Sequence, residues 1–319
     1  MPSSEIVRWG ILGPGWICER FMQDAARARN ARVVAVGSRS ADRARAFAAR
    51  FGIERAHGSY EDLLADPEVD AIYVATPNAL HHPNTMAALA AGKHVLCEKP
   101  YTRRPAEVVE AFDAADAAGL HLMEGFMWRH SPLTRRFVEL LGEIGDLRAI
   151  RASFGFAMDG SPDVRLDPAL DGGSLMDVGC YPLSGARLVA GAEPVGIFGR
   201  QTVGPSGVDI VFSGMLVFPS GLVAEILSGF AFENRSLEAI GSRGTLRIRD
   251  PWNDGGGLEF DGVEQPMAMD DTYRLEMENL SDAILGRGEQ LLGRADALGQ
   301  ARAIEALYRS AGTGETVRL

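Results

Sequence analysis

The chain has 319 residues, 46% hydrophobic and 24% charged, with 32 basic against 43 acidic side chains and a formal net charge of −11. That length suits two domains with substantial cores. The acidic balance excludes nucleic acid or an anionic membrane as a main partner, and no run approaches the roughly 20 apolar residues of a membrane helix.

The first part of the chain alternates short apolar strands with helical patterns. Ile6 to Leu12 reads as a strand, followed by a glycine turn and a helix through about Arg29. Arg32 to Gly37 is the second strand. Ser40 can cap a helix from Ala41 to Phe51, and Ser59 a short one ending at Leu64. Asp70 to Ala75 is a near-continuous apolar strand, as expected when both faces are covered. A helix closed by Gly92 leads to a strand at His94 to Cys97. Pro105 to Ala118 is a further helix, and His121 to Met123 a final strand. This alternation predicts an α/β fold with a doubly wound parallel sheet over residues 1–125.

From about Leu147 the pattern changes to long alternating segments: Leu147 to Phe156, Val195 to Val203, Val208 to Phe218, Leu222 to Phe232 and Arg235 to Arg249. Turns such as Pro219-Ser220-Gly221 and Ser242-Arg243-Gly244 join them. A large, mostly antiparallel, open-faced sheet in an α+β domain over 126–319 is predicted. A helix is read from Ser174 to Val189, and two C-terminal helices (about 273–285 and 295–310) are left to pack on either domain. The open sheet face predicts a homodimer or homotetramer.

The stretch Met1-Pro2-Ser3-Ser4-Glu5 lacks the basic and apolar regions of a secretory signal. Cys18, Cys97 and Cys180 are odd in number and widely spaced, which fits reduced thiols in the cytoplasm better than a disulfide frame. No Cys/His group has zinc-ligand spacing, and no metal is expected.

The first strand runs into Gly13-Pro14-Gly15-Trp16-Ile17-Cys18, which supplies two glycines of G-x-G-x-x-G/A and a small residue at the third position. Gly13 permits the tight turn, and Gly15 lets a pyrophosphate approach the backbone at a helix N-terminus. A carboxylate at the end of the second strand would favour NAD. Here the sequence is Gly37-Ser38-Arg39-Ser40 with Arg43 a turn later. Ser38, Arg39 and Arg43 can bind a ribose 2′-phosphate, so NADP is favoured over NAD.

Three more segments fall at strand ends or open a helix: Thr76-Pro77-Asn78 with His81, Glu98-Lys99-Pro100, and Gly172-Gly173 leading to Asp177 and Tyr181. The Glu-Lys-Pro triplet reads either as a solvated turn or as a functional pair at the carboxyl edge of the sheet. Asp177 and Tyr181 are spaced i, i+4, which places both on one face of a helix. These segments appear in family order, and the chain resembles the glucose–fructose oxidoreductase / inositol dehydrogenase (Gfo/Idh/MocA) family from end to end.

That resemblance implies that Lys99 is catalytic, and that Asn78 and Glu98 help position nicotinamide and Lys99. Cofactor contacts are then assigned to Gly13, Gly15, Trp16, Ile17, Ser38, Arg39, Arg43, Thr76, Asn78, His81, Glu98 and Lys99. The inositol dehydrogenase branch has a histidine where this chain has Tyr181. A tyrosine there is similar to the glucose–fructose oxidoreductase and dimeric dihydrodiol dehydrogenase branches, where it serves as the acid/base. The Arg39 and Arg43 pattern resembles the dihydrodiol and xylose dehydrogenase type. Trp128, Phe154 and Arg165 are assigned to substrate by the same resemblance, while Trp252 reads equally as a core aromatic.

The chemistry suits these roles. A free tyrosine has a pKa near 10, and a lysine cation close by would lower it and bond the substrate oxygen. Asp177 can orient a neighbouring hydroxyl or Lys99. The reading is an NADP-dependent oxidoreductase acting on an aldose or related cyclic vicinal diol. A non-catalytic NADP-bound sensor, and an enzyme that uses tightly held cofactor for transient oxidation, are the alternatives.

Overall fold

The computed structural model describes residues 5–253 and 256–319. The chain folds as two compact units, each assembled from separate stretches of sequence. The first comprises 1–102, 106–127 and 271–298; the second comprises 103–105, 128–270 and 299–319.

The first unit is built on six parallel strands: β1 (Val7–Leu12), β2 (Ala31–Gly37), β3 (Arg55–His57), β4 (Ala71–Val74), β5 (His94–Glu98) and β6 (Leu122–Gly125). Their order is β3-β2-β1-β4-β5-β6, so the chain reverses direction across the sheet between β1 and β4. Such a switch point opens a crevice at the carboxyl ends of the strands. All four residues of β4 are buried, as the apolar run predicts. The helices α1 (Trp16–Ala25), α2 (Ala41–Phe51), α3 (Tyr60–Leu64), α4 (His81–Ala90) and α5 (Pro105–Ala118) alternate with these strands. Ser40 and Ser59 cap α2 and α3 by accepting from the Arg43 and Asp62 amides. Gly92, with φ +75°, follows α4 in the left-handed region that favours glycine.

Two boundaries differ from the sequence reading. Helix α1 stops at Ala25 rather than near Arg29, because the residues beyond it are bound elsewhere. The Arg29 amide donates to Glu278, and the Asn30 side chain to Glu278 O and Asp282, at 2.7–3.0 Å. Strand β5 runs one residue further than expected, so that Glu98 pairs with Gly125 of β6 and belongs to the sheet.

In chain order the second unit adds α6 (Pro132–Leu140), β7 (Leu147–Gly155), α7 (Cys180–Ala190), β8 (Gly196–Val203), β9 (Asp209–Val217), β10 (Val223–Gly229), β11 (Asn234–Gly241), β12 (Thr245–Arg249), β13 (Gly257–Phe260) and β14 (Val263–Gln265). The chain then returns to the first unit with α8 (Thr272–Ile284). It ends with α9 (Arg294–Thr313), which runs from one unit into the other, and β15 (Val317–Arg318). The nine strands lie in the order β14-β13-β12-β11-β7-β10-β9-β8-β15 and pair antiparallel except for β7 with β10. The long segment Arg235 to Arg249 is a hairpin of β11 and β12. Helix α7 packs against β7, β10 and β11, and Gly214 on β9 meets Leu307 of α9.

The helix read from Ser174 is not continuous α-helix. Residues Leu175–Gly179 form a π-helical turn, and α7 begins only at Cys180. The α-helical spacing rule that set Asp177 and Tyr181 on one face therefore does not carry across this turn. Helix α8 packs on α1, β2 and β5 of the first unit. The indole N–H of Trp9 donates to Ser281 at 3.1 Å, and Arg27 pairs with Asp271.

Candidate active site

At the end of β1 the Gly13 amide donates to Gly37 O, and φ at Gly13 is +86°. A Cβ there would lie 2.9 Å from the Thr76 methyl, so the turn requires glycine. Gly15 differs. The nearest protein atoms to a Cβ at Gly15 are carbonyl oxygens 3.9 and 4.0 Å away, which leaves its outer face clear for a ligand. Gly15 also caps α1 with no side-chain bond to the first-turn amides. The amides at a helix start, beside a glycine with room in front of it, fit a pyrophosphate. Trp16 is 73% exposed next to them.

At the end of β2, Ser38 is buried and its Oγ accepts from the Ser40 amide at 3.3 Å. Arg39 is exposed, and the Arg43 guanidinium donates to Pro14 O at 3.4 Å, which fastens it to the glycine turn. Asp42 is turned to Arg45 at 2.5 Å. Two arginines with no carboxylate partner among the described residues fit a 2′-phosphate.

Beyond β4, Asn84 donates to the Thr76 hydroxyl at 3.1 Å, and Asn78 opens a short 3₁₀ turn. The His81 ring, 1% exposed, lies 2.7 Å from Thr76 O and 2.8 Å from Pro100 O. Burial pushes its pKa down to about 4, and a neutral ring donates to one carbonyl at a time. His81 thus ties the Thr76 loop to the Glu98-Lys99-Pro100 loop and has no nitrogen left to face a cofactor.

Glu98 is buried. Its Oε1 accepts from the Tyr73 hydroxyl at 2.5 Å and its Oε2 from the Lys99 amide at 3.2 Å. The carboxylate therefore fixes the main chain that carries Lys99, and the Lys99–Pro100 peptide is cis. One residue on, the Tyr101 amide donates to Glu124 of β6 at 2.8 Å. Neither Tyr73 nor Glu124 stands out in the sequence, because each lies within an apolar run whose partner is far along the chain.

In the second unit, Arg165 donates through Nε to Asp177 at 2.7 Å and pairs with Asp163 at 3.1 Å. Asp177 therefore faces an arginine. Buried Asp209 clamps the turn that carries it, accepting from Leu175 N at 2.7 Å, Ser174 Oγ at 2.8 Å and Tyr308 Oη at 2.9 Å. A Cβ at Gly173, where φ is +119°, would lie 2.2 Å from Asp209 Oδ1; one at Gly172 would lie 2.5 Å from Arg165 O. Close backbone approach explains both glycines.

Tyr181, on the first turn of α7, meets Phe154 edge-on with centroids 5.3 Å apart, and Trp252 at 5.8 Å. Trp252 is fully buried, donates to Ser153 O at 2.8 Å and lies perpendicular to Trp128 at 5.0 Å. It is a core aromatic that backs the others. Trp128 is 1% exposed, and its indole N–H has no hydrogen-bond partner among the described residues. The Arg235 guanidinium lies 5.5 Å above Phe154. No group of three or more His, Cys, Asp or Glu suited to a metal occurs among the described residues, and none of their helices is long and apolar enough to cross a membrane.

A doubly wound sheet with a glycine turn at its first strand defines a dinucleotide-binding domain. The chain belongs to the Gfo/Idh/MocA family: residues 7–126 match the model of the oxidoreductase family with an NAD-binding Rossmann fold, and 138–247 match the GFO/IDH/MocA C-terminal domain. It is 38% identical to a D-xylose 1-dehydrogenase (NADP(+)) of Haloferax volcanii, over 98% of this chain and 99% of that one. It is 36% identical to trans-1,2-dihydrobenzene-1,2-diol dehydrogenase of Mus musculus, over 77% of this chain and 75% of the relative. Among solved structures, the aldose-aldose oxidoreductase of Caulobacter crescentus superposes with a TM-score of 0.91 at 30% identity, covering 98% of this chain and 100% of that one.

Proposed function

We propose that the protein is an NADP-dependent oxidoreductase acting on a CH–OH group of an aldose or a related cyclic vicinal diol. When bound, the nicotinamide cofactor supplies the hydride acceptor or donor. The observation that carries the cofactor choice is the end of β2, where Arg43 is fastened to the glycine turn and Asp42 faces Arg45 instead of a ribose. The full-length likeness to an NADP(+)-dependent xylose dehydrogenase supports the same reading.

In this account the first-turn amides of α1 hold the pyrophosphate, and Ser38, Arg39 and Arg43 hold the 2′-phosphate. Lys99, its main chain fixed by Glu98, bonds the reacting substrate oxygen as an ammonium. Tyr181 exchanges the proton with that oxygen. General acid/base catalysis of this kind contributes about 10²–10⁴-fold. Asp177 with Arg165, Phe154 and the Trp128 indole N–H recognise the remaining hydroxyls and ring face. In domain terms, 1–125 takes the cofactor, while 126–319 takes the substrate and carries the subunit interface.

The face of the nine-stranded sheet turned away from α7 carries a groove of about 580 Å³ lined by Arg151, Phe198, Met215, Glu225, Glu238 and Arg247. Arg151 and Glu225 pair across neighbouring strands at 3.2 Å. Both signs of charge around apolar side chains suit a second copy of the same face, so the protein is a homo-oligomer in this account. Three buried cysteines outside any disulfide suit the cytoplasm.

A spectrophotometric screen of aldoses, inositols and trans-dihydrodiols with NADP⁺ and NAD⁺ tests the proposal. A steady rise of reduced-cofactor absorbance with NADP⁺ and an aldose or dihydrodiol supports it. Turnover only with NAD⁺ and an inositol overturns it.

A further inference from the structure

The turn that carries Asp177 and leads into Tyr181 is held by side chains that the proposed reaction does not use, all of them within the second unit. Its start is fixed by Asp209 of β9, 3% exposed, whose Oδ2 accepts from the Leu175 amide at 2.7 Å and the Ser174 hydroxyl at 2.8 Å. Ser174 gives its one proton to Asp209, so it accepts from the Ser228 hydroxyl of β10 at 3.1 Å. Ser228 also backs the end of the turn, since a Cβ at Gly179 would lie 2.7 Å from its Oγ. The π-helical run Leu175–Gly179 therefore lies against the sheet at both ends.

The other oxygen of Asp209 is taken by the last helix. Tyr308, on α9, donates its hydroxyl to Asp209 Oδ1 at 2.9 Å. Burial, with the Asp209 charge beside it, holds this phenol well above its ordinary pKa, so it stays a donor. The ring is itself held in place: it meets Phe212 of β9 edge-on at 5.7 Å, and the Arg103 guanidinium lies 5.4 Å above it. Arg103 pairs at 3.0 Å with Asp171, which sits in left-handed backbone at φ +53° just before Gly172-Gly173. A Cβ at Gly173 would lie 3.2 Å from the Tyr308 oxygen. The hydroxyl is thus packed on the turn as well as bonded to its clamp.

We infer that Tyr308 is a positioning residue: through Asp209 it holds the Ser174–Gly179 turn, and with it the places of Asp177 and Tyr181. A carboxylate bound by three donors keeps one orientation. Without the Tyr308 hydroxyl, Asp209 turns more freely and its grip on the Leu175 amide loosens. Hydrogen bonds to a charged group are the strong ones, and a displacement of about 1 Å at reacting groups costs about 10²-fold in rate. Helix α9 in this way acts on the site without touching substrate. Ser310 of the same helix supplies a control. It accepts from Gly199 N at 2.9 Å and donates to Glu315 O at 2.6 Å, bonds that do not reach the turn.

The catalytic part of this inference rests on the proposed roles of Asp177 and Tyr181; the clamp does not. Amide hydrogen exchange of the full chain tests the clamp. In Tyr308→Phe the Leu175 amide is expected to exchange at least about tenfold faster than in wild type, as the loss of one hydrogen bond to a charged group implies. In Ser310→Ala it exchanges as in wild type. An unchanged Leu175 rate in Tyr308→Phe overturns the inference. Turnover tests the coupling. Tyr308→Phe lowers kcat about tenfold while the KM for NADP⁺ changes less than about twofold, and Ser310→Ala keeps its kcat. Asp209→Asn, with one oxygen for three donors, lowers kcat further, and adding Tyr308→Phe to it lowers kcat little more. Equal kcat losses in Tyr308→Phe and Ser310→Ala would reduce Tyr308 to a structural residue and overturn the inference. Near-normal turnover in Tyr181→Phe would remove the proposed function, and the exchange comparison would still decide the clamp.

Discussion

At the scale of single residues, each proposed role is tied to what holds its side chain. The main chain at Lys99 is fixed by Glu98, and Glu98 by Tyr73. Lys99→Met and Tyr181→Phe are each expected to lower kcat by at least about a hundredfold, while NADP affinity measured by fluorescence titration changes little. Near-normal turnover in both would remove the proposed acid/base pair. Arg43 is held against Pro14, and a hydrogen bond between charged groups is worth about 1.5–3 kcal/mol. Arg43→Ala should therefore weaken NADP binding about tenfold or more and leave NAD binding nearly unchanged. Equal losses for both cofactors would mean that Arg43 acts only through the shape of the turn. These residues were legible because the phosphate turn and the strand ends each occupy a few adjacent positions. Tyr73 and Glu124 were not legible, since each matters through a partner brought close only by the fold.

At the scale of elements, the parallel sheet could be read in detail because β4 and the middle of β5 are apolar and the helices are punctuated by Ser40, Ser59 and Gly92. The turn at Leu175–Gly179 could not. A π-helical turn has no composition of its own, and what imposes it here is the clamp from Asp209, on a strand that follows later in the chain. The two glycines before it are the visible trace of that clamp. Gly173→Ala forces a Cβ onto Asp209 in left-handed backbone, which should cost about 1–3 kcal/mol in chemical denaturation. A change below about 0.5 kcal/mol would show that the clamp yields easily. Helix α6 and the β13–β14 hairpin also lay outside the sequence reading. The first is short and the second irregular, so neither gives a sustained periodicity.

At the scale of the whole molecule, two histidines whose surroundings disfavour their charged form set the acid limit of stability. Burial pushes His130 down to about 3 and His94 to about 4, from an ordinary value of 6.5. The unfolded chain takes up these protons first, so the stabilisation is complete above about pH 6.5 and is lost as pH falls from there toward 3–4. Calorimetry should show Tm falling through that window, with a shallower fall in His130→Gln. An identical slope in wild type and variant would contradict this. The open sheet face makes a second global prediction: sedimentation of the wild type should show a dimer or tetramer, and Met215→Glu, on an exposed position of β9, should shift it toward monomer. A monomeric wild type would leave that face without the partner proposed for it.

The central claim is that this fold moves hydride between NADP and a sugar or cyclic diol hydroxyl. It is tested most directly by following reduced-cofactor absorbance with purified protein across the panel of aldoses, inositols and trans-dihydrodiols, with NADP⁺ and NAD⁺ in parallel. The account predicts sustained turnover on an aldose or a dihydrodiol, with kcat/KM at least about tenfold higher for NADP⁺, as one charged phosphate contact suffices to produce. No net reduction with any member of the panel, from protein that binds NADP, would contradict it.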